Sequence, residues 1–476
     1  MSSSANADLR RRIDAGDLHF LDGLVLLGTI ASQRWFGGKS RDVLDARVLD
    51  AAVTPGGPPI LAFAVVEVRY GLQSHDLYHL PLGFRPAEEG WSDSVIAETE
   101  GWTVYDAPAD PALIREIVDH LCAGTTLTSG ESRIVFWGAE GLAERTRGLG
   151  ATRPMGADQS NSSVVLDETV ALKLYRRIEP GVNPELEILR FLTDRGFPHI
   201  AALEGYVAYE GRPLETTLAL LQRFVPSQGD GWQLALDTIE SEPNWMPAHA
   251  GRLGEVTALL HNTIGSDPGD PHFAPEEPSS EALSLLSASV DEEIEHVFAT
   301  LPDIPAVEPI LGRGEEVRDR LRLLTHIGSV GKLIRTHGDY HLGQALRTAD
   351  DDWVILDFEG EPARSGPERR RKRSPLRDVA GMLRSFAYAA SASKLQRGVD
   401  PPVGWEENCR TNFLDGYLAA ADPALLPAGE QAIERLLMVF ELEKAVYELR
   451  YELNNRPDWV GIPVAGIVRL LEEEPA

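Results

Sequence analysis

The run His337-Gly338-Asp339-Tyr340-His341-Leu342-Gly343-Gln344, followed by Trp353-Val354-Ile355-Leu356-Asp357-Phe358-Glu359-Gly360, constrains this chain more than any other stretch. A Gly-Asp turn puts one acid on a loop, an amide follows five positions later, and a second acid ends an apolar strand. Moving a phosphoryl group needs such a set. One carboxylate takes the proton of an acceptor hydroxyl, and a carboxylate with an amide holds magnesium on the phosphates. Either half alone reads as an exposed turn beside a buried strand. Both together, in this order, favour phosphoryl-transfer chemistry over that plainer reading.

The spacing is that of the protein-kinase catalytic loop, with Gln344 where the kinase Asn stands, and Asp357-Phe358-Glu359 is close to the kinase Asp-Phe-Gly. Asp339 is the candidate general base, and Gln344, Asp357 and Glu359 are the candidate magnesium ligands, since magnesium prefers oxygen donors. His341 is read as packing and hydrogen-bonding within the loop rather than ligating metal.

Upstream, Lys173 lies mid-strand in Val170-Ala171-Leu172-Lys173-Leu174-Tyr175. It is similar to the kinase strand lysine that contacts the α- and β-phosphates of ATP; an exposed edge-strand lysine is the plain alternative. Its expected partner is a glutamate on the next helix, with Glu187 preferred over Glu185 on spacing. Gln159, Ser160, Asn161 and Ser162 precede that strand. Their hydroxyls and amides stand where kinases use a Gly-rich loop to approach phosphate. Gln222, Phe224 and Val225 end the last front-half strand, at the position of the connector whose backbone pairs with adenine. Gly37-Gly38-Lys39-Ser40 resembles the end of a Walker-type loop, but Gln33 stands where that pattern needs Gly and no apolar strand immediately precedes it, so it is rejected.

The chain has 476 residues, enough for two or three domain-sized units. Its apolar fraction of 43% and charged fraction of 25% are those of a soluble globular protein. The net charge of −29 repels nucleic acid and anionic membranes, and also ATP, so a nucleotide site here must supply its own cations or metal. Cys122 and Cys409 are far apart and lack metal-ligand spacing, which suggests inert thiols in a reducing cytoplasm. No apolar run approaches the ~20 residues of a membrane span, and Met-Ser-Ser-Ser-Ala-Asn lacks the apolar core of a signal peptide. A cytoplasmic protein is expected.

Three regions are expected: a β-rich cap over 1–100, an intermediate front-lobe region with nucleotide-binding strands over 101–223, and a mainly helical lobe over 224–476. The spacing predicts a short helix near 21–30, a strand over 60–68 after a turn at 56–59, a helix over 111–122, a hairpin of 164–166 with 169–175, a helix from Pro184, and a strand over 218–224. Helical periodicity covers 248–262, 280–300, 315–327, 378–392, 407–420 and 429–454, with one strong strand signal at 353–356. A β-rich front and a helical back make an α+β, bilobal, kinase-like layout. Asp378, at the start of one of these helices, is a candidate tie for the catalytic loop. The basic run Arg369–Arg373 reads equally as a solvated loop or as a positive field beside the phosphates. The stretch 447–459 combines aromatic and polar side chains, as a carbohydrate pocket does. From the residues alone, a helix sealing the core is the plainer reading.

With these residues in place, the chain resembles bacterial maltokinases, a family similar to aminoglycoside phosphotransferases with an added N-terminal cap. The resemblance runs through Gln33–Arg41, Gln159-Ser160-Asn161, Leu172-Lys173, His337–Gln344, Asp357–Pro362, Ser374–Phe386 and Asn455–Trp459. Actinobacterial glucosamine kinases share much of this plan. The resemblance implies magnesium- and ATP-dependent phosphorylation of maltose at its anomeric hydroxyl, giving maltose 1-phosphate for α-glucan synthesis. It also implies a helical lobe that holds the sugar near Asp339, with His341, Arg384, Tyr447, Glu448, Tyr451, Asn455 and Trp459 as candidates for the sugar side. Related systems associate with trehalose synthase, and a monomer or homodimer is expected. An amino-sugar kinase, such as a glucosamine kinase, is the alternative within the same fold. A kinase-like binding protein without catalysis is the alternative from another class, and the retained lysine, base and metal set argues against it.

Overall fold

A computed structural model of the chain describes residues 3–39, 41–71, 74–129, 131–156, 160–322, 331–362 and 364–472. Two compact units emerge: residues 1–190 with 201–226, and residues 191–200 with 227–476. Among the described residues no helix is long and apolar enough to cross a membrane. Both cysteines are unpaired.

The first unit holds two antiparallel sheets. One runs in the order Val43–Val53, Ile60–Tyr70, His75–Pro86, Trp102–Asp106, Val95–Thr99, with Arg177–Ile178 joining His75–Pro86. Ile60–Tyr70 is apolar at almost every position and buried along nearly its whole length, as a strand covered on both faces must be. On one face Ala62, Ala64 and Val66 share a core with Leu26 and Ile30 of the Leu24–Ser32 helix and with Leu9 and Ile13 of the Ser3–Asp14 helix. On the other, Phe63 meets Phe136 edge-on at 5.6 Å. Gly37-Gly38-Lys39 follows a helix rather than a strand, in keeping with its rejection as a phosphate loop.

The second sheet runs Thr126–Ser129, Ser132–Gly138, Leu203–Glu210, Glu215–Arg223, Val170–Tyr175, Asn161–Leu166, Thr152–Pro154. Its expected hairpin forms with Val170 opposite Leu166 and Lys173 opposite Ser163. Asp167 and Glu168 make the turn at φ of 44° and 50°, both left-handed, and Thr169 N closes it by donating to the Leu166 carbonyl at 2.9 Å. His79, on His75–Pro86, is wholly buried. Its Nδ1 pairs with the Tyr175 carbonyl at 3.1 Å. Burial first, and the Arg176 charge second, push its pKa down to about 3.

The second unit is helical. Its longer helices are Gly231–Ser241, Trp245–Ile264, Ser280–Ala299, Gly314–Arg322, Leu376–Arg397, Trp405–Ala420, Glu430–Asn455 and Gly461–Glu472. The expected helix over 315–327 is seen to Arg322; residues 323–330 lie outside the described part. Sequence periodicity gave no warning of Gly231–Ser241 or Gly461–Glu472. The latter carries Gly461, Pro463 and Gly466, poor helix formers that tertiary burial of Ile462, Ile467 and Leu470 overrides. The single strand expected at 353–356 is Trp353–Ile355, and it belongs to a three-stranded antiparallel sheet with Ala345–Thr348 and Ser227–Asp230. Those two partners have four residues each, too short for alternation to register.

Candidate active site

The loop 337–344 leads directly into the Ala345–Thr348 strand, and one helix fastens it. Asp378, in the first turn of Leu376–Arg397, accepts from the backbone N–H of His337 at 2.7 Å and of Gly338 at 3.0 Å. His261 Nε2 adds a third contact at 3.2 Å. Burial works against the Asp378 charge, yet His261 and the loop N–H groups hold its carboxyl below the ordinary range. Two turns on, Ser385 Oγ accepts from Leu342 N at 2.9 Å. Between them Gly381 passes so close to the loop that a Cβ there would stand 2.7 Å from the Tyr340 carbonyl oxygen. The expected role of Asp378 as a tie is therefore what the structure shows.

Within the loop, His337 Nε2 donates to the Leu356 carbonyl at 2.8 Å, which leaves Nδ1 to accept from Asp339 N at 3.4 Å. This aims the Asp339 side chain outward, where it is 27% exposed and Oδ1 meets Lys444 Nζ at 3.3 Å. Lys444 reaches Glu361 Oε1 at the same 3.3 Å. Burial opposes the Lys444 charge, but Asp339, Glu361 and Glu448 overcome it and raise its pKa above the usual lysine value. Glu361 is likewise penalised by burial, yet Lys444 and Arg364 bring its pKa down to about 2.

Gln344 Nε2 donates to Asp357 Oδ2 at 3.0 Å. Asp357 sits at φ 63°, a left-handed conformation that a non-glycine residue adopts only where its surroundings impose it. Carboxylate oxygens of Asp357 and Glu359 come within 4.8 Å of each other. An amide oxygen and two carboxylates, with no sulfur or imidazole, are a donor set suited to magnesium. His341 Nδ1 accepts from Gly343 N at 3.1 Å, so it caps the loop turn as expected, and burial depresses its pKa. The basic run divides. Lys372 pairs with Glu276 at 2.6 Å, whereas Arg369 Nη1 reaches the Glu359 carbonyl at 3.2 Å.

A cavity of about 500 Å³ opens beside Asp339. Tyr447, Glu448, Tyr451 and Trp459 line it as expected, together with His341. Two expected sugar-side residues do not. Asn455 is exposed and donates Nδ2 to the Tyr451 carbonyl at 2.8 Å, ending its helix. Arg384 is fully buried behind the wall and grips Glu448 through Nη2 at 2.8 Å. Sequence reasoning did not single out several wall residues, among them Asp230, Trp232, Tyr388, Lys444 and Glu452. Lys444, Tyr447, Glu448, Tyr451 and Glu452 follow the three-and-four spacing of one helix face, so extending that pattern one turn backward from Tyr447 finds the lysine. The rings of Tyr388 and Trp459 lie 6.5 Å apart at 29°, an aromatic flank to the cavity.

In the first unit, Lys173 Nζ contacts Glu185 Oε2 at 2.8 Å, and Tyr175 OH donates to the same oxygen at 2.7 Å. The preference for Glu187 is corrected: two residues apart on a helix means nearly opposite faces. Glu185 is buried toward the strand, while Glu187 is half-buried. Ser162 Oγ accepts from Arg176 Nε at 2.8 Å, and buried Asn161 donates to Ser160 Oγ at 3.1 Å. Gln159 lies outside the described residues. Phe224 N donates to the Thr169 carbonyl at 2.9 Å, and Gln222 and Val225 are half-buried beside it.

A family model described as the maltokinase N-terminal cap domain matches residues 30–110, and one described as the phosphotransferase enzyme family matches residues 151–393, just over half of the chain. A glucosamine kinase of Streptacidiphilus jiangxiensis is 27% identical over 329 residues, 66% of this chain and 72% of the relative. One from Mycolicibacterium smegmatis is 25% identical over 330 residues, 67% and 80% of the two chains. A solved glucosamine kinase in complex with glucosamine, ADP and inorganic phosphate shares the fold, with TM-score 0.67, 21% identity, and coverage of 93% of this chain and 98% of that one.

Proposed function

This chain belongs to the phosphotransferase enzyme family, and from that premise we propose that it is an ATP-dependent sugar kinase phosphorylating the anomeric hydroxyl of maltose. The observation that carries the choice of a neutral sugar is the charge state of the cavity wall. Every carboxylate there has a resident partner: Asp339 has Lys444, Glu448 has Arg384, and Glu452 has Arg456 at 2.6 Å. Asp230 accepts from Gln233 N at 2.8 Å, capping its helix. At Asp339, Glu448 and Glu452 an ammonium-bearing sugar would compete with the resident cations, whereas a neutral polyol gains hydrogen bonds there without displacing any. The cavity volume suits a disaccharide, and pockets of this size are typical of small-ligand sites. The match to the maltokinase cap model supports the same reading.

In this mechanism Asp339 accepts the hydroxyl hydrogen bond and takes the proton. The sugar oxygen–phosphorus bond forms as the bond to the nucleotide's leaving oxygen breaks. The proton then leaves Asp339 for water. Lys173, braced by Glu185, holds nucleotide phosphate oxygens. Gln344, Asp357 and Glu359 would hold magnesium, which supplies charge neutralisation on the phosphates. Asp378 and Ser385 keep the base still, which counts because small misplacements cost large factors in rate.

A glucosamine kinase is the second reading, favoured by the two curated relatives. A magnesium-dependent ATP-consumption assay with maltose, glucosamine, glucose and kanamycin separates them, with phosphorus NMR locating the new ester. Maltose should give the highest kcat/KM and an anomeric phosphate. Preference for glucosamine would transfer the assignment to the second reading, and ATP binding without turnover of any sugar would support a binding protein.

A further inference from the structure

Lys444 is a cation that a mechanism built on Asp339 alone does not call for. Its Nζ is held at 3.3 Å by Asp339 Oδ1, at 3.3 Å by Glu361 Oε1, and 4.9 Å from the centre of the Tyr447 ring. Holding a long lysine side chain in one place costs rotamer entropy. The two carboxylates and the ring face supply the contacts that offset that cost. The arrangement makes the two oxygens of Asp339 unequal. Oδ1 accepts from Lys444, while Oδ2 has no hydrogen-bond partner among the described residues. Lys444 also lies on the helix face that forms the cavity wall, one turn before Tyr447 and Glu448. Glu361 is tied on its far side to Arg364, so the ammonium is anchored from behind the cavity as well as from within it.

We propose that Lys444 is a positioning residue: by occupying Oδ1 and fixing the plane of the Asp339 carboxylate, it presents Oδ2 to the acceptor hydroxyl. This rests on the sugar-kinase reading, because an acceptor hydroxyl is what gives Oδ2 its task. Lys444 acts through Asp339 and leaves nucleotide binding to other groups. Its loss belongs in kcat. Glu361 stands one step further back as the second anchor.

The test is Lys444→Ala, which removes the ammonium and leaves room for a small amine. Measured with the best sugar, kcat should fall about 10²-fold, the scale of losing one placed electrostatic group, with both KM values within about threefold of wild type. Added methylammonium should restore roughly tenfold of the lost rate, and tetramethylammonium, which has no N–H, should restore none. A kcat within about threefold of wild type, a loss carried by KM, or an absence of amine rescue overturns the proposal. Where Lys444→Ala does not fold, the double variant Lys444→Ala/Glu361→Gln removes the orphaned carboxylate and is read in the same way. A wild type that phosphorylates no sugar overturns the sugar-kinase reading instead. The orientation claim is then decided by crystal structures of wild type and Lys444→Ala: a carboxylate plane that turns supports it, and one that stays put overturns it.

Discussion

Asp339 can serve as a base only while an oxygen of its carboxylate faces the acceptor and its backbone stays where the loop puts it. Asp339→Ala should therefore abolish turnover, by about 10²–10⁴-fold or more, while calorimetry still detects nucleotide binding. Near-normal turnover would remove Asp339 from its assigned role. The corrected glutamate gives a paired test. Glu185→Gln should raise the nucleotide KM about tenfold or more, since hydrogen bonds to charged groups contribute about 1.5–3 kcal/mol, whereas Glu187→Gln should leave it nearly unchanged. Equal effects would mean that the lysine does not depend on the contact seen between Lys173 and Glu185. Residue types at fixed spacing were readable from the sequence: Asp339, Gln344, Asp357 and Lys173 each occupy a pattern with a chemical reason. The choice between Glu185 and Glu187 was not readable, because it depends on how the helix is rotated about its axis, which packing decides. Lys444 was missed for a related reason. A lone lysine inside a long helix looks like solvated surface until the carboxylates from 105 and 83 positions away arrive beside it.

At the scale of elements, the Leu376–Arg397 helix is the frame of the 337–344 loop. Asp378, Gly381 and Ser385 share one face of it, two of them bonding the loop and the third making room. Gly381→Ala should push the Tyr340 carbonyl away. We expect a loss of about 1–3 kcal/mol in urea unfolding, the usual cost of overpacking, and a kcat loss larger than the stability loss explains. A variant with wild-type kcat would show that the loop tolerates displacement. The helices themselves were mostly legible, because long runs of helix formers leave few breaks: 429–454 in the sequence, without Gly or Pro after Gly429, became Glu430–Asn455. What failed to show was short or compositionally poor. The strands Ser227–Asp230 and Ala345–Thr348 are too brief for alternation, and Gly461–Glu472 is held helical by burial of its apolar face rather than by propensity.

At the scale of the whole molecule, acidity and burial set the conditions under which the chain stays folded. His79 has a pKa of about 3 in the folded first unit against 6.5 when exposed. Because the folded form binds its proton less readily, this contribution to stability is complete above pH 6.5. It is lost progressively on acidification toward pH 3, at up to about 1.4 kcal/mol per unit. Unfolding midpoints measured from pH 7 to pH 4 should fall less steeply for His79→Asn than for wild type; parallel curves would mean that the imidazole is not the group responsible. The bilobal, kinase-like class was legible from the contrast between β-rich and helical halves, but the split at residue 190, with 191–200 counted in the second unit, was not. That boundary falls within the Pro184–Asp194 helix, where periodicity continues without a break. The Glu430–Asn455 helix leaves a last consequence. It supplies both the ammonium proposed to orient the base and the aromatic and acidic wall proposed to meet the sugar, within a few turns of one another. A lineage drifting toward a new acceptor would have to rewrite the same short stretch that keeps its reaction running, so changes of diet in such proteins should come in small, mutually compensating steps.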